Sequence, residues 1–242
     1  MISFLFFSLC ASFQETKEII FLHERVQIDL RGDAIDAYER DIYYDKNDKR
    51  TIRIDEHDAK RSYIFRTDPS MIIVLHHDDK SFSYGLVKQD KNIIRTMLKG
   101  LGYYVDGKLQ QRAGNLAPTG LKRKISQWQC QEYALKYPSL FGVNTRIWCT
   151  SEKTILTKDD MRTLWYTIIG GAPSHDVNNV IAQFFKDIPG VPIQFVTKIE
   201  QQDAMITIHS QITTMERRSN TNLNLFEIPQ NYRVIMRSAA DK

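Results

Sequence analysis

Apolar and polar residues alternate along much of this chain with the two-residue period of half-buried strands, and only a few stretches carry a helical spacing. From Ile19, IIFLHERVQIDL mixes the two classes without a clean period and fits a strand or a helix. The alternation sharpens in AYERDIYYDKNDKRTIRID and KRSYIFRTD, after which Asp68, Pro69 and Ser70 supply a turn. MIIVLHH is rich in β-branched residues, HDDK makes a tight turn, and SFSYGLV returns. Together these segments predict a meander of antiparallel strands.

Residues 89–101 place Ile93, Ile94, Met97, Leu98 and Leu101 on one side of a short helix, and residues 102–120, with four glycines and Pro118, form the most loop-like stretch. Strands follow at residues 127–136 and 144–151. Two further helices are expected, one capped by Asp159 and Asp160 and one by Ser174, both ending near glycine. The remaining text returns to strands in PIQFVTKIEQQ, AMITIHSQITTMERR and NLNLFEIPQNYRVIM. The expected architecture is a single α+β domain over residues 14–242, a strongly curved antiparallel β-sheet with two or three short helices.

Residues 1–11, MISFLFFSLCA, are apolar and uncharged. That run suits the core of a signal peptide over residues 1–13 and is too short for a membrane-spanning helix, which needs about 20 apolar residues. The basic flank usual in such leaders is missing, since Lys17 is the first cation, and Leu9 stands where a lipid-modified Cys10 would want a small residue. The chain is expected in the periplasm or secreted, with no transmembrane span after processing. Its 33 Lys and Arg against 29 Asp and Glu leave a formal charge of +4, too small a bias to imply nucleic acid. Cys130 and Cys149 lie in two strand-like segments separated by YPSLFG, where a hairpin could bring them within reach of a disulfide; two small buried hydrophobes is the equal alternative.

No stretch marks a catalytic, cofactor-binding or metal site. HExxH, GxSxG, Walker-type, GxGxxG and CxxC patterns are all absent, so the expected chain is not an enzyme and carries no cofactor. His76, His77, Asp78 and Asp79 form the densest cluster of ligand-type residues, but neighbours on a strand face opposite ways, and a third ligand would have to come from His23, His57, His175 or His209. A polar hairpin turn accounts for them more simply. Asp55, Glu56 and Asp58, beside Arg53 and Lys60, fit a solvated strand end. Lys122, Arg123 and Lys124, with Arg95, Lys99, Lys108 and Arg112 upstream, form the main basic bias and fit a solvated face or an anionic surface contact. Aromatic residues are numerous: Tyr43, Tyr44, Tyr63, Phe65, Phe82, Tyr84, Trp128, Tyr133, Trp148, Trp165, Phe184, Phe185 and Phe226 either line a concave apolar cavity or pack against the helices.

Thr119-Gly120, Lys124, Ile125, Trp128 and Cys130, then Trp148 and Thr150, then Gly190-Val191-Pro192 and the late Ile228-Pro229-Gln230-Asn231-Tyr232 give an order of features that resembles the secreted bacterial DUF4412 family of unknown function. It is more distantly similar to GLPGLI proteins and to periplasmic lipoprotein carriers of the LolA type. Gln127-Trp128 departs from the Gly-Tyr usual there. The resemblance implies a half-open, LolA-like β-barrel whose concave side takes an apolar ligand, with no residue of assigned role. The expected function is non-enzymatic binding or carriage of a lipid, acyl chain or lipidated peptide. The alternative is a cell-envelope structural or adaptor domain working through contacts with a protein partner; a hydrolase stands third.

Overall fold

The computed structural model describes residues 17–45, 51–67, 70–86, 104–105, 108–109, 116–136, 143–168, 182–201, 204–220 and 224–235. The expected helix at 89–101, the cap at Ser174, the turn at Asp68 and Pro69, and residues 1–13 lie outside them.

The first meander runs through β1 (Lys17–Leu30), β2 (Asp33–Asp45), β3 (Thr51–Glu56), β4 (Arg61–Thr67), β5 (Ser70–His76) and β6 (Ser81–Leu86). A two-residue turn, Arg31 and Gly32, joins β1 to β2 with both residues in the left-handed region, as the twist of a tight hairpin demands. β7 (Tyr104–Val105) and β8 (Lys108–Leu109) form a separate two-stranded sheet. The second meander holds β9 (Leu116–Ile125), β10 (Trp128–Leu135), β11 (Val143–Thr150), β12 (Val191–Gln201) and β13 (Ala204–Asn220), and β14 (Arg233–Val234) follows. Residues 116–120, expected in a loop, thus open a strand.

The antiparallel pairing of β1 with β13 welds the two meanders into one twelve-stranded sheet, ordered β14-β6-β5-β4-β3-β2-β1-β13-β12-β11-β10-β9. The half-open, strongly curved barrel that the sequence led us to expect does not form. β14 and β9 stand at opposite ends of a linear order, so the sheet is open, and the parallel β14–β6 pair makes it mixed rather than purely antiparallel. Closure would need two long complementary edges. β14 offers two residues, and β9 is blunted by Pro118, by a register break opposite Glu132 where Gly120 turns left-handed, and by three exposed cations at Lys122, Arg123 and Lys124.

Between β11 and β12, helix α1 (Lys158–Ile168) and a helical segment at residues 182–187 cover one face of the sheet. α1 starts at Thr157 rather than at the aspartates: Thr157 Oγ1 accepts the Asp160 amide at 3.1 Å, and the Asp160 carboxylate accepts the Thr157 amide at 2.9 Å. This reciprocal pair satisfies two amides that the first turn would leave unbonded. Beneath the helices, Ile20, Tyr44, Ile52 and Phe65 form one cross-strand row and Leu22, Ile42 and Ile54 the next, all in a core with Met161, Leu164, Phe184, Phe185 and Ile188. On the opposite face a smaller cluster, Ile64, Ile73 and Leu75, lies under Ile228 and Tyr232 of the C-terminal segment 224–235. That segment was expected to be a strand; only Arg233 and Val234 pair.

Candidate functional site

The helix-covered face is where an apolar ligand would have to sit, and the chain's own aromatics occupy it. The Trp165 ring lies 5.4 Å from Phe184, 5.5 Å from Phe185 and 5.3 Å from Phe195, the first stacked and the second edge-on. Such geometry matches ring quadrupoles and marks a packed interior. Phe184 is 1% exposed and Tyr44 fully buried. Of the other aromatics, Tyr43 packs on Phe21 on the far face at 5.3 Å, Trp148 lies under the Arg123 guanidinium, and Tyr84 is exposed. They do not converge on a common cavity.

The far face carries a continuous polar network. Successive strands bring Asp41, Asp55, Ser62 and Leu75 into one cross-strand row. Arg53 donates from Nε to Asp55 at 2.6 Å and from Nη2 to Ser62 Oγ at 3.1 Å. Ser62 Oγ lies 2.6 Å from His77 Nε2, and His77 Nδ1 lies 2.6 Å from Tyr232 Oη. A guanidinium has only donors, so Ser62 Oγ accepts from Arg53, and the His77 ring bridges Ser62 and the Tyr232 phenol through its two nitrogens. Burial first, and then the Arg53 charge, hold the His77 pKa below the ordinary imidazole value.

A serine hydrogen-bonded to a histidine invites comparison with a nucleophile and its base. Here the serine is 0% exposed and its oxygen is already shared between Arg53 and His77, so it serves as a structural connector.

The expected ligand cluster disperses. His76 takes the helix-side row between Arg61 and Ser81, Asp78 pairs with Lys60 at 3.0 Å in solvent, and Asp79 accepts Ser81 Oγ at 2.5 Å, which holds its pKa below the usual carboxylate value. His23 and His57 instead share Asp41, at 2.6 and 3.0 Å, while His209 faces Asp29 at 3.2 Å; His175 lies outside the described residues. Among the described residues no group of three His, Cys, Asp or Glu side chains is placed to hold a metal ion.

Cys130 and Cys149 are free and buried. Cys130 stands opposite Thr150 and Cys149 opposite Gln131 in the β10–β11 pair, a one-residue offset that turns the two side chains to opposite faces. Burial raises both thiols, to about 11 and about 12.

Two clefts open between described residues and both are lined by charge. One of about 530 Å³ holds Asp36, Tyr38, Glu39, Glu56 and Asp58, and one of about 240 Å³ holds Asp55, Glu56, His57, Lys60, Arg61 and His77. Of the predicted basic group, Lys122, Arg123 and Lys124 are all exposed, and the Arg123 guanidinium also lies 4.1 Å over Trp148 and bonds Gln194. Exposed apolar side chains gather at the end of the sheet near the β1–β2 turn: Ile35 is 59%, Met205 37% and Leu30 36% exposed, and the Arg31 amide donates to the Met205 carbonyl there at 2.8 Å. Arg53, Ser62 and Tyr232 were not singled out as site residues from the sequence. Register would have aligned the first two, but nothing local links either to Tyr232.

No protein-family model matches the chain, and no curated protein matches it. Among solved structures, PNGF-II overlaps 90% of this chain and 31% of its own at 9% identity with a TM-score of 0.35. MucB, in complex with MucA(peri), overlaps 90% of this chain and 57% of its own at 7% identity and 0.41. NE2245 from Nitrosomonas europaea, a LolA superfamily protein, overlaps 86% and 90% at 9% identity and 0.34. The chain thus spans less than a third of the first of these proteins and a little over half of the second. The likeness is remote. It establishes neither a family nor an activity, and the resemblance to DUF4412 finds no matching family model.

Proposed function

We propose that this chain is a non-enzymatic interaction domain of the cell envelope, periplasmic or secreted, that works through contacts with another protein. One observation carries the reading: the face expected to receive an acyl chain is filled by Trp165, Phe184, Phe185 and Phe195 of the chain itself. A carrier must exchange water for ligand in a concave apolar space. Here that exchange would first require the helical layer to lift off a core whose central side chains are fully buried. What the surface offers instead is an apolar tip at Leu30, Ile35 and Met205 beside an acidic cleft, the pattern of apolar residues rimmed by charge that marks protein contacts. The extracytoplasmic location rests on the leader-like residues 1–11.

Two measurements on protein from its own host separate this reading from the carrier. A photo-crosslinker at Ile35 gives a discrete protein adduct, whereas one at exposed Lys153, which lines neither cleft, gives less, and native mass spectrometry of the purified chain finds no lipid. A stoichiometric acyl species with no adduct at Ile35 refutes the proposal.

A further inference from the structure

The C-terminal segment 224–235 is held less like a packed element than like a bound peptide. Two arginines grip its main chain: Arg53 Nη1 donates to the Leu225 carbonyl at 2.8 Å and Arg66 Nη2 to the Phe226 carbonyl at 3.0 Å. Two side chains four residues apart, Ile228 and Tyr232, then settle on the apolar floor of Ile64, Ile73 and Leu75. The tyrosine hydroxyl reaches His77, and the segment finishes by adding to the open edge of β6, with the Arg233 amide donating to Lys80 O at 3.0 Å and the Ile235 amide to Phe82 O at 2.8 Å. Carbonyl clamps, an apolar floor for spaced anchors and a sheet edge for the backbone are the parts of a strand-addition peptide site.

We infer that the groove across β4, β5 and β6 is a peptide-recognition site, occupied in cis by residues 224–235, and that its partner is a segment of the same chemistry: an aliphatic residue, a tight turn that brings round a tyrosine four positions on, as the Tyr232 amide bonded to the Pro229 carbonyl does here, then a residue pairing parallel to β6. The occupant follows from the template already seated there. β14 is the end strand of the sheet and pairs only through Arg233 with Ser81 and Val234 with Phe82, so the cis segment can leave without breaking any other strand pair and can be exchanged. The inference deepens the protein-contact reading and rests on it.

The test uses the full chain and a labelled synthetic peptide of residues 224–235. Weakening the cis segment raises the fraction of empty groove, so the peptide binds Tyr232→Ala and, separately, Ile228→Ala about tenfold or more tighter than the unchanged chain. The same peptide carrying alanine for tyrosine binds neither. Hydrogen exchange supplies a second readout: the Arg233 and Ile235 amides exchange well before those of β4 and β5. Equal or absent binding to both folded variants, or exchange of those amides only with global unfolding, overturns the proposal. If the peptide fails while the Ile35 adduct persists, the protein-contact reading stands without this groove; if the peptide binds and the adduct is lost, the contact surface lies at the groove and not at the tip.

Discussion

The imidazole of His77 and the phenol of Tyr232 meet at 2.6 Å across 155 residues of chain. Through Ser62 and Arg53 this contact ties the C-terminal segment to the centre of the first meander. Tyr232→Phe removes the hydroxyl and one hydrogen bond, for an expected loss of about 1 kcal/mol in urea unfolding.

The same network makes stability depend on pH. His77 has a folded pKa below its ordinary value of 6.5, so the unfolded chain takes up the proton first as the pH falls. The contribution is complete above that ordinary value and is lost as pH descends through it towards the depressed folded value. Urea midpoints at pH 8 and pH 5 check this: the advantage of the unchanged chain over His77→Asn should shrink at pH 5. An advantage that grows in acid would mean that His77 is held protonated.

The thiols should be silent in the folded protein. With pKa values of about 11 and about 12, thiolate is scarce at pH 8. Ellman's reagent should therefore find no reactive Cys130 or Cys149 until denaturant is added. Fast labelling of the native chain, or a mass showing a Cys130–Cys149 bridge, would contradict the β10–β11 register.

Gly190 precedes β12 where the chain passes the end of β11. A Cβ at that position would run into the Thr150 carbonyl, which is backbone and has little room to retreat. Gly190→Ala should cost about 1–3 kcal/mol, as overpacking does. Thermal melting reads it, and an unchanged midpoint would show that the β11–β12 crossing has room for a methyl group.

Thr157→Ala removes the hydroxyl that accepts the Asp160 amide, while the amide of residue 157 stays on the Asp160 carboxylate; the loss should cost about 1 kcal/mol, with Thr157→Ser restoring most of it. If Asp160→Ala alone does the damage and Thr157→Ala none, the cap lies where the sequence first suggested, at the aspartates.

The β-branched run in MIIVLHH announced β5, and the alternation in AMITIHSQITT announced β13. β1 stayed ambiguous for a physical reason: Ile19, Ile20, Phe21 and Leu22 alternate between the two faces of a central strand yet are all buried, so no period survives. The half-open barrel came from the resemblance, and the strand patterns could not correct it, because they specify faces and say little about the edges that decide closure. Periodicity likewise could not tell a lined cavity from a filled one; Trp165 and Phe184 read the same in either. The disulfide turned on a single residue of register between β10 and β11. The far-face network was illegible because its outer member, Tyr232, arrives from a segment that the alternation assigned to a strand and that Arg53 and Arg66 hold instead by its carbonyls.

The weld between β1 and β13 has a consequence for how the molecule is made. Glu24 and Ser210, hydrogen-bonded across that seam, are 186 residues apart. During synthesis the hairpins of the first meander can form from local contacts, while the outer side of β1 emerges early and must wait, unpaired and flanked by Ile19 to Leu22, until almost the whole chain has followed. Distant pairing of this kind slows folding and leaves a sticky edge open meanwhile. Expression yield should therefore respond more to holdase chaperones and translation rate than to changes on the finished surface.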